Sequence, residues 1–186
     1  PGSFEQRHID ILCHIKKVVK IPVIMKLGSN LTNPVALINQ LYANGAAAVV
    51  LFNRFYQTDI NIDTMAFTSA NVMSTPNELP DRLRWTAIAS AAVPRLDYAV
   101  SGGVHCGKGV IKSILAGAAA VEVCSVIYQY GAKEIENMKK ELSEWMDEKS
   151  YESLSQFKGK MNAESAGEIN PFERTQFMRY YSNREE

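Results

Sequence analysis

The chain has no excess of either charge. Its 20 Lys and Arg residues balance 20 Asp and Glu, so net charge does not favour nucleic acid, and no block of like charge marks a membrane surface. It has no apolar run near the ~20 residues that a membrane-spanning helix requires. Cysteine is scarce. Cys13, Cys106 and Cys124 lack the spacing of a metal site, and no cysteine cluster is present to hold an iron–sulfur centre. Three is also an odd number for a disulfide framework, so the expectation is reduced, mostly buried thiols in a cytoplasmic protein. Pro1-Gly2-Ser3 runs straight into a charged amphipathic segment, so a secretory leader is not expected. What remains is 186 residues, 46% hydrophobic and 22% charged, enough for one folded unit with its own core.

Two periodicities alternate along that length. Ile11, Leu12, Ile15, Val18 and Val19 repeat at helical spacing within 4–20. Ile21–Gly28 then reads as a buried strand, with Pro22 near its start. Asn33-Pro34 reads as an N-cap and first helical residue, and Gly45 as the helix stop. Ala47–Asn53 is a second buried strand. Residues 54–80 read as a long irregular insertion, of the kind that is usually functional or self-structured. Helix 82–92, strand 98–104, helix 107–116 stopped by Gly117, strand 120–127 and helix 132–148 follow. Near-continuous apolar strands alternating with helices predict a parallel sheet covered by helices. The expected organisation is a body over 1–150 and an extension over 151–186. The extension packs on that body through aromatics such as Phe157, Phe172 and Phe177.

Chemistry in parallel α/β folds gathers at the C-terminal ends of the strands. Lys26 closes the first strand in this reading, and Asn53 the second. Ser101-Gly102-Gly103 closes the third, and Cys124-Ser125 the fourth. Small residues at two neighbouring strand ends leave backbone N–H groups open to a phosphate. Each residue has a plainer reading. Lys26 can snorkel to a rim, Asn53 can satisfy loop backbone, and a Gly pair can be a tight turn. Cys124 can contribute only its small size, and His105 can be a loop or cap residue. The set carries more weight than any member, because all four strands end in polar or small residues.

Ile21–Gly28, Gly45–Asn53, Ser101-Gly102-Gly103-Val104 and Gly117–Tyr128 together resemble the C-terminal half of a dihydroorotate dehydrogenase-like flavoprotein. Val50–Gln57, Ser74-Thr75-Pro76, Leu83-Arg84-Trp85, Tyr151–Gly159 and Phe172-Glu173-Arg174 extend the likeness toward the bacterial dihydroorotate dehydrogenase-like branch. The resemblance implies an α/β fold that is the C-terminal half of a TIM (β/α)8 barrel, with four parallel strands and flanking helices. It implies FMN as cofactor and the oxidation of dihydroorotate to orotate, in pyrimidine biosynthesis. Lys26 would contact the flavin ring, and Phe52 would lie beside it. Ser101, Gly102, Gly103, Cys124 and Ser125 would surround the FMN phosphate. Asn53 would hydrogen-bond a pyrimidine-like substrate.

The sequence departs from that family just after Asn53, in the next loop, where Ser74-Thr75-Pro76 stands without the usual glycine-rich turn, and at the catalytic base. Arg54 stands where a small hydroxylic residue usually follows the substrate Asn, and is expected to pair with a substrate carboxylate. The family's catalytic Cys or Ser base has no counterpart, so no catalytic residue is assigned. The chain is expected to be a fragment, inactive alone, and to self-associate or pair with a missing half barrel. The alternatives are a phosphate-binding barrel enzyme without flavin and an inactive, self-associating half barrel.

Overall fold

The computed structural model describes residues 2–166. The chain opens with helix α1 (Gly2–Val18), followed by β1 (Ile24–Gly28), α2 (Pro34–Ala43) and β2 (Ala48–Asn53). A hairpin, β3 (Thr58–Asn61) with β4 (Ala66–Ser69), interrupts the alternation. Then come α3 (Leu79–Ala92), β5 (Asp97–Ser101), α4 (Gly107–Leu115), β6 (Ala120–Glu122), α5 (Ser125–Tyr130) and α6 (Lys133–Glu148). Strands β1, β2, β5 and β6 pair in that order, all parallel. This is the four-stranded α/β sheet expected for part of a TIM barrel.

Local chemistry sets the boundaries. The Asn33 side chain accepts a hydrogen bond from the Ala36 N–H at 3.0 Å, and Pro34 follows as the first helical residue of α2. Gly45 and Gly117 both take positive φ where their helices end. The carbonyls that α4 leaves free at its C-terminus are met in turn. Ala116, Gly117 and Ala118 donate to Lys112, Ile114 and Ser113, and Met161 donates to Leu115.

One row of the sheet runs Lys26–Val50–Ala99–Ala120, with aligned residues on the same face. That face is concave and open, so Ile24 on edge strand β1 is 59% exposed. The expected burial therefore holds for β2 and β5 but fails for most of β1. The opposite face is dry. Leu27, Val49, Leu51 and Tyr98 pack there against Leu37, Ile38 and Leu41 of α2 and Ala89 of α3.

The curl of the sheet can be read from one ion pair. Lys26 on edge strand β1 and Glu122 on edge strand β6 meet at 2.7 Å. Three strand spacings separate those edges, about 14 Å in a flat sheet. Side chains standing on one face of a flat sheet would run parallel to each other. They converge only if the sheet bends toward closure, as barrel strands do.

The structure corrects three sequence expectations in this region. Residues 54–80 are not wholly irregular but contain the β3–β4 hairpin, turned by Asn61, whose side chain accepts from the Asp63 and Thr64 N–H groups. The fourth strand stops at Glu122 rather than at residue 127, because β5 has turned away at Gly102-Gly103 and offers no further ladder. The thiols are not mostly buried: Cys13 is half-buried, whereas Cys106 and Cys124 sit exposed just before α4 and α5.

Residues 151–166 lie across α3 and α4, and the rest of the expected 151–186 extension, including Phe172 and Phe177, lies outside the described residues. No helix among the described residues is long and apolar enough to cross a membrane.

Tyr98 ties β5 to the end of α3. Its buried hydroxyl donates to the carbonyls of Ala89 and Val93 at 2.8 and 2.9 Å. Burial pushes the phenol above its ordinary value of 10.0. The folded chain thus holds the proton more tightly than the unfolded chain does. Stability from this group is intact below about pH 10 and falls as pH rises beyond it. Tyr98→Phe should lose about 1–2 kcal/mol at pH 7 and show a flatter loss between pH 10 and 11, read by urea unfolding at each pH. Parallel alkaline losses in both proteins would refute this assignment.

Candidate functional site

The strand ends and the insertion enclose a cavity of about 630 Å³, within the ~300–1,000 Å³ of small-molecule sites. Lys26, Asn53, Arg54, Ser101, Gly102, Gly103, Cys124 and Ser125 all line it. These are eight of the nine residues that the sequence singled out. Phe52 is the ninth. It is fully buried in the core between the sheet and helices α1–α3 and does not line the cavity.

Two positions differ from the sequence reading. Lys26 sits in the middle of β1, with Leu27 and Gly28 beyond it, and reaches the cavity by its length. Cys124 and Ser125 follow the last strand, with Cys124 just before α5 and Ser125 its first residue.

Gly102 and Gly103 have φ of +100° and +79°, the left-handed region that favours glycine. A Cβ on Gly103 would collide with the backbone N of Leu79 at the start of α3. One on Gly102 would meet Nε of Arg82 at 3.3 Å. The pair therefore brings the β5–α4 turn hard against α3, and both glycines line the cavity.

Arg54 lines the cavity, but its guanidinium is committed elsewhere. It donates to Glu78 at 3.1 Å, to the Val72 carbonyl at 2.8 Å and to the Asn71 carbonyl at 2.7 Å. Glu78 also accepts from the Thr75 N–H, and Arg82 approaches it at 3.6 Å. The cluster straps the end of the insertion to the start of α3. A substrate carboxylate would have to compete with those partners for Arg54. Glu78 was missed in the sequence because it lies 24 residues from Arg54.

Asn53 is exposed at the end of β2, and its amide makes no hydrogen bond among the described residues, so both its donor and its acceptor are available. Lys26 is paired with Glu122, which also lines the cavity. Glu122 was not singled out in the sequence, because 96 residues separate it from Lys26 and only the curl of the sheet joins them.

A third group also escaped the sequence reading. Ser74, from the insertion, is buried and contacts the segments that follow β5 and β6. Its backbone N–H donates to Ser125 Oγ at 2.9 Å, its hydroxyl donates to the same oxygen at 3.0 Å, and His105 Nε2 lies 3.1 Å from Ser74 Oγ. Ser125 and His105 were each named from the sequence, but nothing there joined them to Ser74. Among the described residues, no three His, Cys, Asp or Glu side chains gather as a metal site.

No protein-family model matches the chain. Among curated proteins it is similar to the dihydroorotate dehydrogenase B (NAD(+)) catalytic subunit of Thermoplasma volcanium, with 30% identity over 153 residues, 81% of this chain and 50% of the relative. The corresponding subunit of Alkaliphilus oremlandii is 29% identical over 150 residues, 79% of this chain and 49% of the relative. A probable dihydroorotate dehydrogenase A (fumarate) of Enterococcus faecalis is 39% identical over 75 residues, 40% of this chain and 24% of the relative. The chain spans about half the length of the first two.

Proposed function

We propose, from the premise that this chain is a relative of the dihydroorotate dehydrogenases, that its cavity is the phosphate-binding side of an FMN site in an oxidoreductase acting on a pyrimidine-like substrate. The observation that carries this reading is the convergence of the Gly102-Gly103 turn, Ser125 and Lys26 on one cavity. The residues suit the group. The glycine turn brings main chain to the cavity wall, Ser125 supplies a hydroxyl, and Lys26 supplies a cation.

Bound there, FMN would supply the redox chemistry, accepting a hydride from the substrate. The chain's own residues would do the rest. Ser101, Gly102, Gly103, Cys124 and Ser125 would hold the phosphate end. Lys26 would leave Glu122 in part to face the ring, setting a positive charge where the reduced ring carries negative charge. Asn53 would orient the pyrimidine edge through its free amide. Arg54 would act chiefly by keeping the insertion over the cavity. No residue of this chain is assigned as the base that removes the substrate proton, so a completed site would need one from elsewhere in a full barrel.

The open concave face and the two edge strands fit the same reading, because a closed (β/α)8 barrel has eight strands and no edges. Further strands would complete this sheet, from a longer chain or from a second copy.

Flavin fluorescence tests the proposal. Quenching of FMN on titration with the chain is expected, and Ser125→Ala should weaken it by about tenfold, the loss of one hydrogen bond to a charged group. Wild-type titration without quenching would count against the FMN reading.

A further inference from the structure

We infer that Ser74 and His105 are positioning residues that make Ser125 an obligatory hydrogen-bond donor to the anionic group in the cavity. The inference rests on the phosphate reading of that cavity and extends it to two residues outside the strand ends.

It follows from counting donors and acceptors. A serine oxygen has two lone pairs and one proton. Both lone pairs of Ser125 Oγ are occupied, one by the Ser74 N–H at 2.9 Å and the other by the Ser74 hydroxyl at 3.0 Å. Ser125 can therefore accept nothing more, and its only free function is to donate. Among the described residues nothing accepts that proton, and Ser125 lines the cavity. A group bound there must meet it as an acceptor, which a phosphate oxygen does well.

The same count fixes His105. The Ser74 proton is spent on Ser125, so Ser74 Oγ can only accept from the ring nitrogen 3.1 Å away. His105 Nε2 must then carry the hydrogen, which assigns the tautomer. The chain of donors runs His105 to Ser74 to Ser125 to ligand, each bond polarising the next in the same direction. Burial of Ser74 shields its hydroxyl from water that would otherwise scramble the direction. The three residues come from three segments: the end of the insertion, the turn after Gly102-Gly103, and the start of α5. A ligand drawn to Ser125 is thereby coupled to the insertion that covers the cavity.

The test has one arm without ligand and one with it. Long-range nitrogen NMR on the wild-type chain should show His105 as the Nε2–H tautomer, and Ser74→Ala should abolish that preference. An Nδ1–H tautomer in the wild type overturns the inference. In the second arm, inorganic phosphate and FMN are titrated in turn. Ser74→Ala and His105→Ala should each weaken both by about five- to tenfold. Ser74→Thr and His105→Gln, which keep a donor at each link, should recover most of the wild-type affinity. Unchanged affinity in Ser74→Ala overturns the inference. A wild-type chain that binds neither probe overturns the phosphate reading itself, whereas the tautomer still decides the donor chain. Amide spectra of each variant show whether it has kept its fold.

Discussion

Gly103→Ala should cost the chain its fold. Residue 103 has a φ of +79°, where an alanine loses about 1–2 kcal/mol from its own backbone. The collision costs more. The new methyl would overlap the Leu79 backbone N, with the Leu79 Cα at 2.9 Å and the Glu78 carbonyl carbon at 3.0 Å. These are backbone atoms at the start of a helix, and no rotamer change relieves them. Either the β5–α4 turn or α3 must move, and both are packed against the sheet. A loss above about 4 kcal/mol is expected, a large part of the ~5–15 kcal/mol that holds a domain together. Gly131→Ala is the control. Its φ is +86° and its ψ 169°, yet nothing lies within 4 Å of a Cβ there, so only the backbone strain of about 1–3 kcal/mol is expected. Urea unfolding of the two variants decides the matter. Equal midpoints would mean that the turn does not abut α3 as described.

Phe157→Ala should be nearly as damaging. The ring is fully buried, with Trp145 and Tyr151 centred 5.0 and 5.3 Å away. Removing a buried phenylalanine costs about 3–5 kcal/mol where the site cannot collapse. The rings around it leave little room to collapse. Phe157 also anchors a segment that works through its backbone. Gly159, Met161 and Ala163 donate to the carbonyls of Ile114, Leu115 and Ala87, so one cavity would loosen the clasp on α3 and α4 together. A fall in unfolding free energy under about 1 kcal/mol, the range of ordinary surface substitutions, would show that residues 151–166 merely lie on the surface.

Asn33-Pro34, Gly45 and Gly117 mark helix ends because their chemistry is local: a side-chain acceptor, a fixed φ, a tolerated positive φ. The strand-end residues were legible as a set for a related reason, since parallel α/β connectivity places every strand's C-terminal end on one face. Reading failed where direction or distance mattered. Phe52 turns into the core and not into the cavity, and a sequence does not say which way a side chain turns at the end of a strand. The run Ala118–Ile127 is largely apolar, so nothing marked where β6 gives way to α5. The β3–β4 hairpin was hidden because its residues are exposed on both faces, without the alternation that burial imposes. The pairs Lys26–Glu122 and Arg54–Glu78, and the Ser74–Ser125–His105 group, join residues 24 to 96 positions apart. Such pairings are products of the fold, and they are the ones that refine the site. They tie Arg54 to Glu78 and to the insertion, give Lys26 a carboxylate partner, and join Ser125 to Ser74.

In the proposed site the cavity grips a flavin by its phosphate. Riboflavin has the same ring and ribityl chain without the phosphate, so the two flavins titrated side by side against the wild-type chain test that claim most directly. FMN should bind at least about tenfold more tightly than riboflavin, the worth of one charge-assisted hydrogen bond or more, and inorganic phosphate should compete with FMN. Equal affinities, or FMN binding that phosphate leaves unchanged, would contradict it.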